Sequence, residues 1–429
     1  MSSRLLIVAR RVACAALVLP AALGAQAAAT TPKVSPEAYK ALHWRTIGPE
    51  GNRFSTAVGI PGDPWTYYVG AASGGIWKTT DGGVHWQSLF DAQPVQSIGA
   101  LAVARSDKNV VWAGTGEAHI RSHISIGQGI YKSTDAGHTW QLMGLEKTAR
   151  IARVVVHPTD PNIVMACALG TAYGPQPDRG VFRTTDGGTT WTKVLFVDEN
   201  TGCADLAMDP SNPRIVFAGM WQIEIHTWGR TSGGPGSGLF RSADGGVTWT
   251  RVKGNGLPTK NVGKTVLAIA PSNPTRIYVM METGDGIPNQ TNGEQTENGQ
   301  VWRSDDGGVH WAISTRDKNA MGRAHYYSRI AVSPADEDET YYLTAAFSKS
   351  IDGGRTLITQ QFPNAPGGDH HDIWIDPTNA DRMIVAHDQG LSISINRGKT
   401  WLAAPAQRAD LPCDRGQHDP VQRVREQAG

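Results

Sequence analysis

Short apolar runs recur along this chain with the same punctuation. "RVVVHPTDPN", "DLAMDPSNP", "VLAIAPSNP", "RIAVSPADED" and "DIWIDPTNA" each end an apolar stretch in a turn, several marked by Asp-Pro or Asn-Pro. A second run follows each of them, as in "IVMACALG", "RIVFAGMW", "RIYVMMET", "TYYLTAAF" and "RMIVAHDQ". Then come a connection of variable length and a third run such as "GVFRTT", "GLFRSA" or "QVWRSD". A nearly constant phrase closes the unit: "KTTDGGVHW", "KSTDAGHTW", "RTTDGGTTW", "RSADGGVTW" and "RSDDGGVHW". Two divergent copies, "KSIDGGRTL" with Leu357 in the Trp position and "ISINRGKTW" with Asn396 in the Asp position, bring the total to seven. The phrase returns every 44 to 62 residues, roughly, which is a supersecondary period.

Runs this short, β-rich and bounded by turns predict strands, four per unit, with the fourth beginning at the Trp. Four-stranded units repeated seven times predict an all-β, seven-bladed β-propeller with antiparallel blades. Closing the ring removes the exposed sheet edges that an open array would offer to other chains. The constant phrase is predicted to be the hairpin between third and fourth strands. Its Asp accepts backbone N–H bonds within the loop, the second Gly supplies a positive φ, and the Trp packs over the hairpin. Asp81, Asp135, Asp186, Asp244, Asp306, Asp352 and Asn396 are therefore read as structural. The blades are placed at 51–92, 93–145, 146–196, 197–255, 256–316, 317–361 and 362–405.

Composition sharpens this picture at a few points. With 49 Gly and 14 Trp but only 18% charged residues in 429, the chain suits a turn-rich β protein. A formal net charge of +1 gives no reason to expect nucleic acid or an anionic membrane as partner. Arg4, Arg10 and Arg11 precede the apolar run Val12 to Leu23, and small residues follow at Ala25 and Ala27. Residues 1–27 are thus read as a secretory signal, too short in apolar length to span a bilayer. Residues 28–50 are a further segment whose "LHWRTIGP" is a possible ring-closing strand. Residues 406–429, poor in apolar side chains, are expected to be disordered and to be a shortened continuation of a longer protein. Beyond Cys14, three cysteines remain. In an oxidising compartment Cys167 and Cys203, from successive repeats, either pair or stay as buried thiols, and Cys413 is left over.

The phrase Ser/Thr-x-Asp-x-Gly-x-Thr-Trp resembles the Asp box, or bacterial neuraminidase repeat. The first blade ("YYVGAASGGIWKTTDGG"), with "MWQIEIHTWGRTSGGPGSGLFRS" and "GGDHHDIWIDP", is similar to exported bacterial sortilin-type propellers and family 74 glycoside hydrolases. That resemblance implies extracytoplasmic work on a glycan or protein. A sialidase would carry an early Arg-Ile-Pro motif, whereas this chain has "NRFSTAVGIP". The family 74 pattern implies a catalytic Asp where Ala72 stands, and a second acid from a second propeller.

In a propeller whose innermost strand comes first, the loops entering that strand and those joining strands two and three share one face. That places Arg53, Glu117, His119, Arg121, His123, Tyr173, Trp221, Glu224, His226, Trp228, Arg230, His325, Tyr326, Asp369, His370, His371 and Asp372 there, with His138 and His387 flanking. Three uses are open: a ligand-binding face, a metal site from His119, His123, His370 and His371, or a wet polar channel. The ligand-binding reading uses Arg53, His119, Arg121, His123, Tyr173, Trp221, His226, Trp228, Arg230, His325, Tyr326, His370 and His371. Glu117, Glu224, Asp369 and Asp372 are the acids a hydrolase would draw on, with no spacing that pairs them. The expectation is a monomeric binding module for an extracellular or periplasmic protein or glycan, with no cofactor and no metal. A glycoside hydrolase with unusual acids is the alternative, and an assembly factor with an exposed apolar patch is the third.

Overall fold

The computed structural model describes residues 35, 53–121, 123–283, 299–361 and 364–403. The signal segment, "LHWRTIGP", the loop "TGDGIPNQTNGEQTENG" apart from Thr283 and Gly299 onward, Cys413 and the tail lie outside the described residues. Among the described residues there are seven antiparallel sheets, each built in chain order from one continuous stretch, and one short 3-10 turn at Glu146–Thr148. The chain is a seven-bladed β-propeller.

The first strands of the blades are Phe54–Gly59, Ile98–Val103, Ile151–Val156, Thr201–Met208, Thr265–Ile269, Arg329–Val332 and His370–Asp376. Each lies beside the next around the axis, and the last lies against the first. The junction of blades seven and one is polar as well as apolar: Thr56 Oγ1 donates to Asp372 Oδ2 at 2.9 Å, and the Trp374 ring lies over Gly59. A methyl at Gly59 would sit 2.4 Å from that ring, so the small residue is what lets the two strands meet. Apolar side chains fill the spaces between blades. Val58, Tyr68 and Ile76 of blade one, for example, pack with Ile98, Leu101, Val111 and Tyr131 of blade two.

The seven repeated turns use one bonding scheme. In blade two, Ser133 Oγ donates to Asp135 Oδ1 at 2.7 Å and accepts from the N–H groups of Asp135 (3.3 Å) and Gly137 (2.7 Å). Asp135 in turn accepts from Thr139 N at 2.8 Å and Thr139 Oγ1 at 2.6 Å. Asn396 reproduces the arrangement, accepting from Thr400 N at 3.0 Å. Positive φ occurs at both positions after the Asp, not only the second: Gly82 at 74° and Gly83 at 98°, with Ala136 (58°) and Arg397 (59°) in the first position of their turns. The fourth strands begin one residue after the Trp, as in Gln87–Ser88 and Thr250–Val252. The indole still belongs to the turn, for Trp86 Nε1 donates to Gly83 O and Trp249 Nε1 to Gly246 O.

Two local features stand out, one a departure from the expected loop and one the pairing of two cysteines left open by the sequence. "WQIEIHTWGR" is not a loop: the second strand of blade four runs from Val216 to His226 and pairs with an added strand, Gly229–Ser232. Ile223 and Ile225 alternate with Glu224 and His226, a period of two that sustains a strand, and Thr227-Trp228 form its tip. Cys167 and Cys203 are joined as a disulfide that ties blade three to blade four, with Cα atoms 5.0 Å apart.

Candidate functional site

The loops entering first strands and those after second strands do meet on one face. There a cleft of about 740 Å³ is lined by Arg121, Tyr173, His226, Trp228, Arg230, Arg323 and His325, with Ile120 and Ile225 among its apolar members. That is the size of an ordinary small-ligand site. Its rim is aromatic. Trp228, at the hairpin tip, is 85% exposed and lies parallel to the His226 ring, 4.9 Å away and within 5°. Tyr173 is 49% exposed and has the Arg150 guanidinium 5.8 Å from its ring centre. Trp221, from the same long strand, is instead fully buried, its Nε1 donating to Ser232 Oγ at 2.9 Å.

On the same face lies a polar network centred on Arg53. This guanidinium bonds Glu117, which Arg121 Nε also reaches at 2.9 Å, and Arg53 Nε is 3.8 Å from Asp388. Asp388 accepts from Tyr326 Oη at 2.7 Å and contacts His371 Nε2 at 2.6 Å. Burial pushes the Asp388 carboxyl up, but the bonds from His371 and Tyr326 and the Arg53 charge outweigh it and hold it below the usual range. Burial lowers His371, and it lowers His119 far below an ordinary imidazole. The two rings lie 4.4 Å apart. His119 faces Tyr326 O at 3.1 Å and Ser55 O at 3.2 Å, so as a neutral ring it donates to only one of the two.

Further in, two arginines and two aspartates bridge the first strands. Arg153 reaches Asp205 (3.1 Å) and Asp372 (3.3 Å), and Arg329 reaches the same two carboxylates at 2.8 and 3.5 Å. Asp205 also accepts from Leu267 N at 3.0 Å. Strands of blades one, three, four, five, six and seven are thus held by two carboxylates. Nearby, Lys264 donates to Tyr327 O at 2.6 Å, and burial drives its pKa down to about 7. Glu282, which accepts from Ser232 Oγ and Lys264 N, is driven up to about 6 by burial.

The sequence-predicted residues therefore divide. Arg121, Tyr173, His226, Trp228, Arg230 and His325 line the cleft, while Arg53, Glu117, His119, Tyr326 and His371 form the network. His370 alternates with His371 along one strand and turns into the core against Phe347 and Thr344 O. His123 is exposed and off the cleft lining, and His138 sits in a repeated turn on the other face. The four histidines considered as metal ligands are therefore not gathered, and no group of three metal-ligating side chains occurs among the described residues. Asp372 belongs to the buried ion cluster rather than to a reacting pair. Glu224 lies beside His226 (3.8 Å), and Asp369 takes a positive φ of 60° at the entry to blade seven. Ala72 is buried, its N–H bonded to Arg53 O. Arg323, Lys264 and Asp388 were missed, although all three lie in loops that the strand order already sends to this face.

The fold and parts of the sequence match known proteins. The Sortilin-Vps10 family (sortilin, neurotensin receptor 3) matches residues 74–217. A xyloglucanase from a Paenibacillus species is 27% identical over 213 residues, covering 45% of this chain and 20% of the relative. A xyloglucanase of Acetivibrio thermocellus is 29% identical over 187 residues, 38% of this chain and 19% of its own length. Among solved structures, the GH74 xyloglucanase of Xanthomonas campestris superimposes with a TM-score of 0.59 at 17% identity, over 85% of this chain and 55% of that one. The chain thus spans about half the length of that structure and aligns with about a fifth of the curated relatives. The chain is a propeller that resembles the sortilin-type and glycoside-hydrolase-74 propellers. Among the described residues no helix is long and apolar enough to cross a membrane.

Proposed function

We propose that this propeller works on polysaccharide outside the cytoplasm, in the manner of the glycoside-hydrolase-like proteins it resembles, and that the cleft holds the glycan chain. The observation that carries this reading is the aromatic rim. A Trp 85% exposed at a hairpin tip contributes little to the fold, yet it presents a flat apolar face beside hydrogen-bonding side chains. Sugar rings offer the matching surface, with C–H groups on one face and hydroxyls at the edge. The relatives named xyloglucanases favour a glycan over a peptide as its occupant.

Glycoside hydrolysis uses two carboxylates about 5 to 10 Å apart. Here Glu117 and Asp388 flank one guanidinium, Arg53. Asp388, part-exposed and kept ionised by His371 and Tyr326, is suited to act as a base or nucleophile. Glu117 is buried and bonded by both Arg53 and Arg121, so its oxygens are already engaged within the protein. A second reading, binding without cleavage, is favoured by the lining of the cleft, which among the described residues carries no carboxylate. Calorimetry and reducing-end release, measured together on soluble polysaccharides, test both. Release lost in Asp388→Asn supports a hydrolase, and heat without release supports the binder. Neither heat nor release with any polysaccharide removes the glycan reading altogether.

A further inference from the structure

Behind the aromatic rim lies a buried arginine that does not itself line the cleft. Arg179 is 1% exposed and stands just before the third strand of blade three, Gly180–Thr184. Its guanidinium donates to backbone carbonyls. Nη2 reaches Thr171 O and, at 2.8 Å, Gly174 O, the two carbonyls that bracket Tyr173. Nη1 reaches Asn200 O in the loop entering blade four and, at 3.5 Å, Ile223 O in the strand that leads to Trp228. One side chain thus ties the loop that presents Tyr173 to the strand that presents Trp228. Gly170, at a φ of 85°, makes room for it, since a methyl there would sit 2.4 Å from Arg179 Cγ.

Burying a guanidinium is costly, and a well-packed apolar side chain of similar volume would cost the fold less. The blades are complete without it. Val164–Ala168 pairs with Gly180–Thr184, Val216–His226 pairs with the strands before and after it, and the Cys167–Cys203 disulfide already joins blades three and four. What Arg179 adds lies above them, on the cleft face. A backbone bond, Ile225 N to Ala172 O at 2.6 Å, brings loop and hairpin together at one point, and the guanidinium fixes the loop on both sides of Tyr173. Arginine suits that task because its donors are held in one rigid plane, whereas lysine offers a single compact ammonium. Burial lowers the Arg179 pKa to about 10, with the Glu224 and Asp198 charges opposing, so the donors stay charged and strong at neutral pH.

We infer that Arg179 is a positioning residue for glycan binding: it holds the Tyr173 loop against the Trp228 strand, so that both rings face the cleft at a fixed spacing before a sugar chain arrives. The inference rests on the glycan reading above and extends it from the rim to what holds the rim. Loops ordered in advance bind more tightly than loops that must be ordered by the ligand. Tyr173 and Trp228 are both solvent-exposed and sit on connections, the parts of a propeller most free to move. A clamp beneath them is what turns two exposed rings into one platform.

The test uses the whole chain, with xyloglucan, galactomannan and mixed-linkage glucan as probes. Arg179→Met removes the donors, and Arg179→Lys keeps the charge on one compact group. Amide exchange reads the clamp without any ligand: Arg179→Met is expected to raise exchange about tenfold in residues 171–176 and 222–232, while the first strands of the blades stay as in the native chain. Calorimetry below the melting range is expected to show about tenfold weaker binding for Arg179→Met and a smaller loss for Arg179→Lys. In a Tyr173→Ala background, where the loop has no ring left to position, Arg179→Met is expected to cost no more than about threefold. A residue serving the fold alone lowers Tm in both backgrounds and shows no such dependence on the ring. Arg179→Lys carries the same comparisons if Arg179→Met fails to fold. Native-like exchange in both segments, native-like affinity in a folded variant, or an equal loss in both backgrounds overturns the inference and leaves the glycan reading intact. No binding of any of the three probes by the native chain overturns the glycan reading and the inference with it.

Discussion

Replacing Asp205 by Asn removes one charge from the cluster at the centre of the ring while keeping nearly the same shape. In the native protein that carboxylate is almost fully buried and meets Arg153 at 3.1 Å and Arg329 at 2.8 Å, with Leu267 N at 3.0 Å on its other oxygen. The amide retains one acceptor, but the buried Arg329 and the part-buried Arg153 then share Asp372 alone. Breaking a buried pair from one side costs about 3–5 kcal/mol, because the remaining charge is stranded. An unfolding entropy of about 2.1 cal/mol/K per residue over roughly 350 folded residues gives about 0.7 kcal/mol/K, so Tm should fall by about 4–7 °C. The pH dependence is a sharper check. Burial raises the Asp205 pKa, but Arg329 and Arg153 more than reverse this and hold it below the ordinary range. Its contribution is therefore complete above the unfolded value of about 3.9 and is lost as pH falls through the lower folded value. Scanning calorimetry from pH 7 downward should show a constant gap between native and variant until about pH 4, then a narrowing one. A Tm unchanged at pH 7, or a gap that widens in acid, would refute the claim that this ion cluster pins the ring.

Three further outcomes follow from the same geometry. Cys167→Ser should lower stability by about 3–4 kcal/mol, from the loop-closure entropy of a disulfide spanning 36 residues, and a reductant should produce the same Tm shift in the native chain. Ser133→Ala removes the hydroxyl that serves two backbone N–H groups and Asp135, and should cost about 1–2 kcal/mol by urea titration at unchanged m-value. Asp388→Asn should leave Tm within about 2 °C, because the group is part-exposed, while changing any pH-dependent glycan turnover.

The repeat was fully legible because it is local. Five of the seven turns carry a Ser or Thr, an Asp and a Trp within nine residues, the other two keep all but one of these, and the blade count followed from counting them. The face carrying Trp228 and Arg230 followed from strand order alone. What stayed hidden was long-range. Asp205 meets Arg329 across 124 residues and Arg153 meets Asp372 across 219, and nothing local in the sequence pairs these charges. The pair His370-His371 read as one feature, yet strand alternation sends one ring to the core and the other to Asp388. The hairpin at Trp228 read as a loop because its alternation is short and follows a continuous apolar run.

The central claim is that the aromatic rim of the cleft holds a glycan, and one measurement tests it most directly. Polysaccharide binding by the native chain is compared calorimetrically with that of Trp228→Ala and Tyr173→Ala, each first shown to melt at the native temperature. The account predicts measurable affinity in the native chain, a loss of about tenfold for Trp228→Ala and a further loss when both are combined. Native-like affinity in the double variant, with the fold intact, would contradict it.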